Sequence, residues 1–163
     1  MNTKKINHKV SIVMGSKSDY ATMQNCEKIL KLLKINFETK IVSAHRTPDR
    51  MFTYAKSAED NNISVIVAGA GGSAHLPGMI AALTTIPVIG VPVESRKLKG
   101  LDSLLSIAQM PKGIPVGTVA IGEDGAMNAG LYAASIIALS NKEVKKNLKN
   151  YRSKQSKAVK KKP

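Results

Sequence analysis

Residues 61–93 read NNISVIVAGAGGSAHLPGMIAALTTIPVIGVPV and contain no Asp, Glu, Lys or Arg. A stretch this long without formal charge is either a membrane span or a buried segment of a globular core. Glycine, proline, serine and threonine interrupt it repeatedly, and no run of about eighteen apolar residues survives, so it does not read as a span. Two β-branched runs remain, ISVIVAG at 63–69 and PVIGV at 87–91, separated by a short helix from about Pro77 to Thr84. Strands that are apolar nearly throughout are expected of parallel strands covered on both faces.

The same alternation continues in both directions. Upstream, KVSIVM (9–14) reads as a strand and Asp19 to Lys34 as a helix. FETKIV (37–42) is a second strand, and proline in the first turn opens a helix from Pro48 to about Asn61. Downstream, a helix runs over DSLLSIAQM with Asp102 as its expected N-cap. VGTVAI (116–121) is a fifth strand, followed by helices over 124–140 and from about Lys142. This spacing predicts an α/β fold, a three-layer sandwich with a five-stranded parallel sheet and right-handed crossovers. A flavodoxin-like order, 2-1-3-4-5, is the expectation.

The helix DGAMNAGLYAASIIALS lacks a broad polar face. Met127, Leu131, Tyr132, Ile136, Ile137 and Leu139 spread around it, with alanines between. A helix apolar on most sides is buried on most sides, and in a domain of 163 residues a second subunit is the expected cover. The protein is therefore predicted to be a homo-oligomer.

The net charge of +14 suggests nucleic acid until it is mapped. Ten of the 25 basic residues lie between Lys142 and Lys162, against one acid, Glu143. The preceding residues hold fifteen basic and ten acidic side chains, a net of +5. The excess belongs to the tail, and with no Trp, two Phe and four Tyr the chain offers few surfaces for base stacking. A solvated basic helix and tail is favoured over nucleic-acid binding. We expect one domain over 1–151 and a basic tail over 152–163. The start, MNTKKINHKV, lacks an apolar h-region, so no secretory signal is expected and the location is read as cytoplasmic. The single cysteine, Cys26, shares a helical stripe with Met23, Leu30 and Leu33, as a buried thiol would.

In a doubly wound sheet, ligands bind beyond the carboxyl ends of the strands. Three loops at that edge concentrate the chemistry: GSKSD (15–19), SAHRTPD (43–49) and AGAGGSAHLPG (68–78). Loops at the other edge, such as KIN and DNN, are plain connectors, and His8 precedes the first strand, also at that edge. In GSKSD a glycine permits a tight turn, and Ser16 and Ser18 flank a helix start suited to an anion such as phosphate. Asp19 can cap that helix or hold sugar hydroxyls, and a simple helix cap would use the same residues. SAHRTP places Arg46, whose planar fork suits phosphate, beside His45, a side chain suited to proton transfer.

The glycine cluster of the third loop departs from the G-x-G-x-x-G spacing of dinucleotide sites. It reads either as a packing turn or as close backbone approach to a small flat ligand, with Ser73 and His75 reaching in. No nucleophile elbow, Walker loop or paired-histidine zinc motif is present. A receiver domain would need an acidic pocket, and a flavin site would need aromatics that these loops lack.

Taken together, GSKSD, SAHRTP and AGAGGSAHLPGM, followed by PVIGVPV, LDSLLSIAQMP and GIPVGTVAIG, closely resemble the 5-(carboxyamino)imidazole ribonucleotide mutases of de novo purine biosynthesis, from about Lys9 to Tyr151. The resemblance implies an enzyme without a cofactor or metal, typically an octamer. Such an enzyme moves a carboxylate from the exocyclic amine of a ribonucleotide to ring carbon 4, through trapped carbon dioxide. It implies His45 as general acid–base. Ser16, Ser18, Ser43 and Arg46 would lie around the phosphate, with Asp19 on or near the ribose. Ala70, Gly71, Ser73, His75 and Leu76 would border the ring and the migrating carboxylate. A sister class, which carboxylates aminoimidazole ribonucleotide directly, has lysine and glycine where this chain has Arg46 and Thr47, and lacks GGSAHLPG. A direct carboxylase and a nucleotide- or RNA-binding module using the basic tail are the alternatives. This chain departs from the family chiefly at GED (122–124) and in its lysine-rich tail.

Overall fold

The structure, a computed structural model, describes residues 8–162. Most of the basic opening segment, residues 1–7, lies outside them, as does Pro163. Five strands, β1 (Lys9–Met14), β2 (Asn36–Ile41), β3 (Ile63–Gly71), β4 (Val88–Val93) and β5 (Gly117–Thr118), form one parallel sheet in the order β2-β1-β3-β4-β5. Six α-helices follow the strands: α1 (Tyr20–Leu32), α2 (Pro48–Lys56), α3 (Leu76–Ala81), α4 (Leu101–Ala108), α5 (Gly122–Ile137) and α6 (Lys142–Ala158). A 3₁₀ turn over Lys17–Asp19 leads into α1.

The period-2 geometry of the strands divides the core into two layers. Val10, Ile12 and Met14 of β1, with Val65 and Val67 of β3, face α1 and α5. Val13 of β1, with Ile66, Ala68 and Ala70 of β3, faces the opposite layer beside Met51 of α2, Ile80 of α3 and Ile107 of α4. The uncharged stretch 61–93 is thus the centre of the sheet and the helix between its two strands. Cys26 is fully buried, and burial pushes its thiol up to about 12. Among the described residues no helix is long and apolar enough to cross a membrane.

Three details differ from the expectations. The fifth strand is two residues long, because after Val119 the chain leaves the sheet and crosses the first turn of α5. The Ala120 carbonyl there stands where a side chain on Gly125 would be. The N-cap of α4 is Gly100, at φ +90°, so the cap lies two residues before Asp102, which falls inside the helix. A Cβ on Gly100 would press on Ile121 and the Glu94 backbone, so glycine answers both the conformation and the space. Finally, α2 ends at Lys56 and gives way to turns that carry the chain to β3.

On α5, alanines and glycines form the inner face, and Gly130 lets the helix approach Ile29 and the Cys26 carbonyl on α1 closely. The outer face keeps Tyr132 exposed, and Leu139 just past the helix end is exposed as well, so this helix is not covered on all sides within one chain. Helix α6 packs through Val144, Leu148 and Tyr151 and continues past Tyr151 to Ala158 without a break.

The contact at Gly125 yields a direct test. Gly125→Ala forces a methyl group against backbone that no rotamer change can move aside, at the upper end of overpacking costs, about 3 kcal/mol. A urea melt should show this as a lower midpoint with unchanged slope. A midpoint equal to that of the unmodified chain would contradict the described path of residues 119–125.

Candidate active site

Because β1 lies between β2 and β3, the chain reverses direction across the sheet after β2, and the loops leaving these three strands meet at one edge. They enclose a cavity of about 430 Å³. From the first loop, Gly15, Ser16, Ser18 and Asp19 line it. The second loop contributes Ser43, Ala44, His45 and Arg46, and the third Ala70, Gly71, Ser73, His75 and Leu76. All eleven residues expected at the site therefore border the same space, a size suited to a small ligand.

Local hydrogen bonds fix each loop. In the first, the Ser18 amide donates to Ser16 Oγ at 3.4 Å and the Ser16 amide to Asp19 Oδ2 at 3.1 Å, a reciprocal capping box. The Ser18 hydroxyl donates to the other Asp19 oxygen at 3.3 Å. In the second loop the Thr47 hydroxyl donates to the Ser43 carbonyl at 3.0 Å and accepts the Ser43 amide at 3.2 Å. Pro48 then starts α2, its missing N–H falling where no intrahelical partner exists.

Two contacts join the loops to one another. Arg46 Nη2 donates to the Gly15 carbonyl at 2.7 Å, tying the second loop to the first, while Arg46 Nε donates to Ser43 Oγ at 3.2 Å. His45 Nε2 lies 2.9 Å from His75 Nδ1, with the rings edge to face at 86°, tying the second loop to the third. One proton lies between the imidazoles, and which ring donates it depends on the tautomer. The outer nitrogens, His45 Nδ1 and His75 Nε2, are not part of that bond.

Burial raises the Asp19 carboxyl above its ordinary 3.8, against the lowering pull of Ser18, the Ser16 amide and the Arg46 charge. Asp19 is thus poorly solvated as an anion, a state better suited to receiving ligand hydroxyls than to facing bulk water.

Sequence reasoning missed the linking role of the Gly15 carbonyl, the part of Thr47 in shaping the second loop, and the contribution of Ser103. The Ser103 hydroxyl, on α4, accepts the Gly72 amide at 2.9 Å behind the third loop. Thr47 had a usable signal, a hydroxyl four residues after Ser43. The other two depend on contacts between distant segments. A larger cavity, about 970 Å³, opens at the other sheet edge between residues 81–88 and 113–115. Its only charged linings are Lys56 and Glu59, and it contains no histidine, so volume alone does not mark the chemical site.

Fold and pocket together define a doubly wound α/β protein with an arginine- and histidine-lined pocket at its topological switch point. Residues 9–158 match the family described as AIR carboxylase. The chain is 59% identical over 151 residues to N5-carboxyaminoimidazole ribonucleotide mutase of Aliivibrio fischeri, covering 93% of this chain and 94% of that protein. It is 58% identical over 151 residues to the protein of the same name from Escherichia coli K12, covering 93% and 89%. The crystal structure of PurE from Treponema denticola superimposes with a TM-score of 0.83 at 29% identity, covering 92% of each chain. This chain belongs to the AIR carboxylase, or PurE, family.

The raised Asp19 carboxyl gives a signed expectation. A carboxyl raised on folding supports the folded state below its ordinary pKa of 3.8, and that support is lost as pH climbs through the raised value. Relative to the unmodified protein, Asp19→Asn should therefore gain stability as pH rises through that window and hold the gain at neutrality. Urea midpoints between about pH 3.5 and 7 measure it. A variant less stable at pH 7 would mean that the hydrogen bonds of Asp19 outweigh its burial.

Proposed function

We propose that this protein is an N5-carboxyaminoimidazole ribonucleotide mutase acting in purine biosynthesis. The observation that carries the reading is the 2.9 Å His45–His75 pair, set in one pocket with Arg46, Ser43, Gly71 and Ser73. Family membership and the mutase relatives support the same reading.

The reaction sets what each group must do. Breaking the bond between the exocyclic nitrogen and its carboxylate releases carbon dioxide and leaves the amine needing one proton. Carbon 4 of the ring then attacks carbon dioxide with its electron pair, and the proton on that carbon must leave to restore aromaticity. One proton is delivered and one removed, so a single histidine returns to its starting state. His45 is our candidate for this shuttle, with His75 as its hydrogen-bonded partner. The charged fork of Arg46 and the hydroxyls of Ser16, Ser18 and Ser43 suit the phosphate, and Asp19 suits the ribose. Ala70, Gly71, Ser73, His75 and Leu76 suit the ring and the carbon dioxide, which a pocket of small side chains holds in place for recapture. No step in this account calls on a cofactor or a metal.

The direct carboxylase is the runner-up. Arg46, Thr47 and GGSAHLPG argue against it, since that class has lysine and glycine at the first two positions and lacks the third pattern. We further read the protein as a cytoplasmic homo-oligomer, an octamer by resemblance. Tyr132 on α5 and Leu139 just past its end, with Leu98, Leu101 and Leu105 at and around α4, expose apolar surface that a subunit contact would cover. We read residues 152–163 as a basic tail apart from the chemistry and place nucleic acid outside the expected partners, so truncation after Tyr151 should preserve turnover.

Comparing turnover of the carboxyamino ribonucleotide with turnover of aminoimidazole ribonucleotide plus bicarbonate separates mutase, carboxylase and non-enzyme in one experiment. Activity only with the second pair would overturn the mutase reading. His45→Asn should keep ribonucleotide binding and lower kcat by about 10²–10⁴, the usual contribution of a general acid–base. Near-unchanged turnover would remove His45 from the chemistry. Light scattering at micromolar concentration should report a multimer, and a monomer would refute the oligomer.

A further inference from the structure

Strands β3 and β4 run in register as far as the pair Gly71 and Val93, then separate. At the fork stands Ser103 of α4, fully buried. Its hydroxyl donates to the Val93 carbonyl at 2.7 Å and accepts the Gly72 amide at 2.9 Å. The hydroxyl is thus inserted between the amide of one strand and the carbonyl of the other, as a one-atom rung. Gly72 takes a left-handed φ of +69° and sits between Gly71 and Ser73, both of which line the pocket. Ser103 itself does not line the pocket.

The adjacent residue ties down the segment after β4. Asp102 Oδ1 accepts the Ser95 hydroxyl at 2.6 Å and the Ser103 amide at 2.9 Å, and Ser95 Oγ accepts the Gly100 amide at 3.1 Å. The Ser95 hydrogen bond is the main cause holding the Asp102 carboxyl below its ordinary range. One turn of α4 therefore anchors both segments that leave the two central strands at the ligand edge.

We propose that Ser103 is a positioning residue that holds the Gly71–Ser73 wall of the pocket closed around the carbon dioxide intermediate. The proposal rests on the mutase reading. Small residues at 71–73 give the wall a close fit but little rigidity of their own, because glycine leaves the backbone free. A buried hydroxyl satisfied at both its donor and its acceptor supplies the missing constraint. Without it, the carbon–nitrogen bond still breaks and the amine is still protonated. Carbon dioxide then leaves before carbon 4 attacks it, so the released products are free aminoimidazole ribonucleotide and carbon dioxide.

The test supplies carboxyamino ribonucleotide labelled in its migrating carboxylate, and reads two quantities per turnover: free aminoimidazole ribonucleotide, and label retained in the 4-carboxy product. In the full-length oligomer, Ser103→Ala should raise the escaping fraction about tenfold, the effect of one positional hydrogen bond, while KM changes little. Ser103→Cys keeps the volume but bonds weakly, so it should leak to an intermediate degree. Ser103→Thr keeps the hydroxyl and should retain label. Wild-type partition in a folded Ser103→Ala or Ser103→Cys protein would overturn the proposal, as would a fall in kcat without added escape. If the unmodified protein fails to convert the carboxyamino ribonucleotide, the mutase reading fails first, and the two failures are distinguishable.

Discussion

The placement of β1 between β2 and β3 constrains everything at the ligand edge. The register ends with Met14 opposite both Ile41 and Gly69, so the three strands deliver their loops at one level. Gly15 and Val42 then start loops beside the last residues of β3, and short side chains suffice to join the segments. The reach of Arg46 to the Gly15 carbonyl and of His45 to His75 follows from that spacing. With either neighbour exchanged for β4, the two histidine loops would no longer flank the Gly15 loop from both sides.

The site draws on two kinds of material. The central strands beneath it are apolar and buried, with Ile12, Val13, Ile66 and Val67 all inaccessible to solvent. Such strands give a rigid platform, because packed interiors resist displacement. Above them the loops carry features that do not favour folding, such as the desolvated Asp19 carboxyl and the left-handed Gly72. Stability is invested in the sheet and relinquished at the edge, a division common where binding groups must be held against their own preferences.

The sheet was legible in the sequence because buried parallel strands leave long uncharged runs, as residues 61–93 do. The order of strands followed from fold-level analogy and agrees with the structure. The fifth strand was overread because VGTVAI has β-forming residues whose path is decided by α5 packing beside Gly125. Asp102 was overread as a cap because its carboxylate is engaged with Ser95, a partner that local spacing does not reveal. At the site, the composition of three loops pointed to a single edge. The pairing of His45 with His75, thirty residues apart, is a tertiary contact with no local signature. Ser103 was hidden for the same reason, its partners Gly72 and the Val93 carbonyl lying on other segments.

The buried state of Cys26 also bears on how this molecule can be observed. Its thiol is inaccessible, and burial moves its ionisation to about 12, so at neutral pH almost no thiolate is present to meet an alkylating reagent. The native fold is therefore silent to maleimide and spin-label chemistry without any cysteine being removed. A new cysteine on an exposed loop would be the sole point of attachment, and the spectroscopic signal would report that position alone. Conversely, slow labelling of the unmodified chain would time the openings that expose the α1–α5 layer, making one atom a clock for the motion of the core.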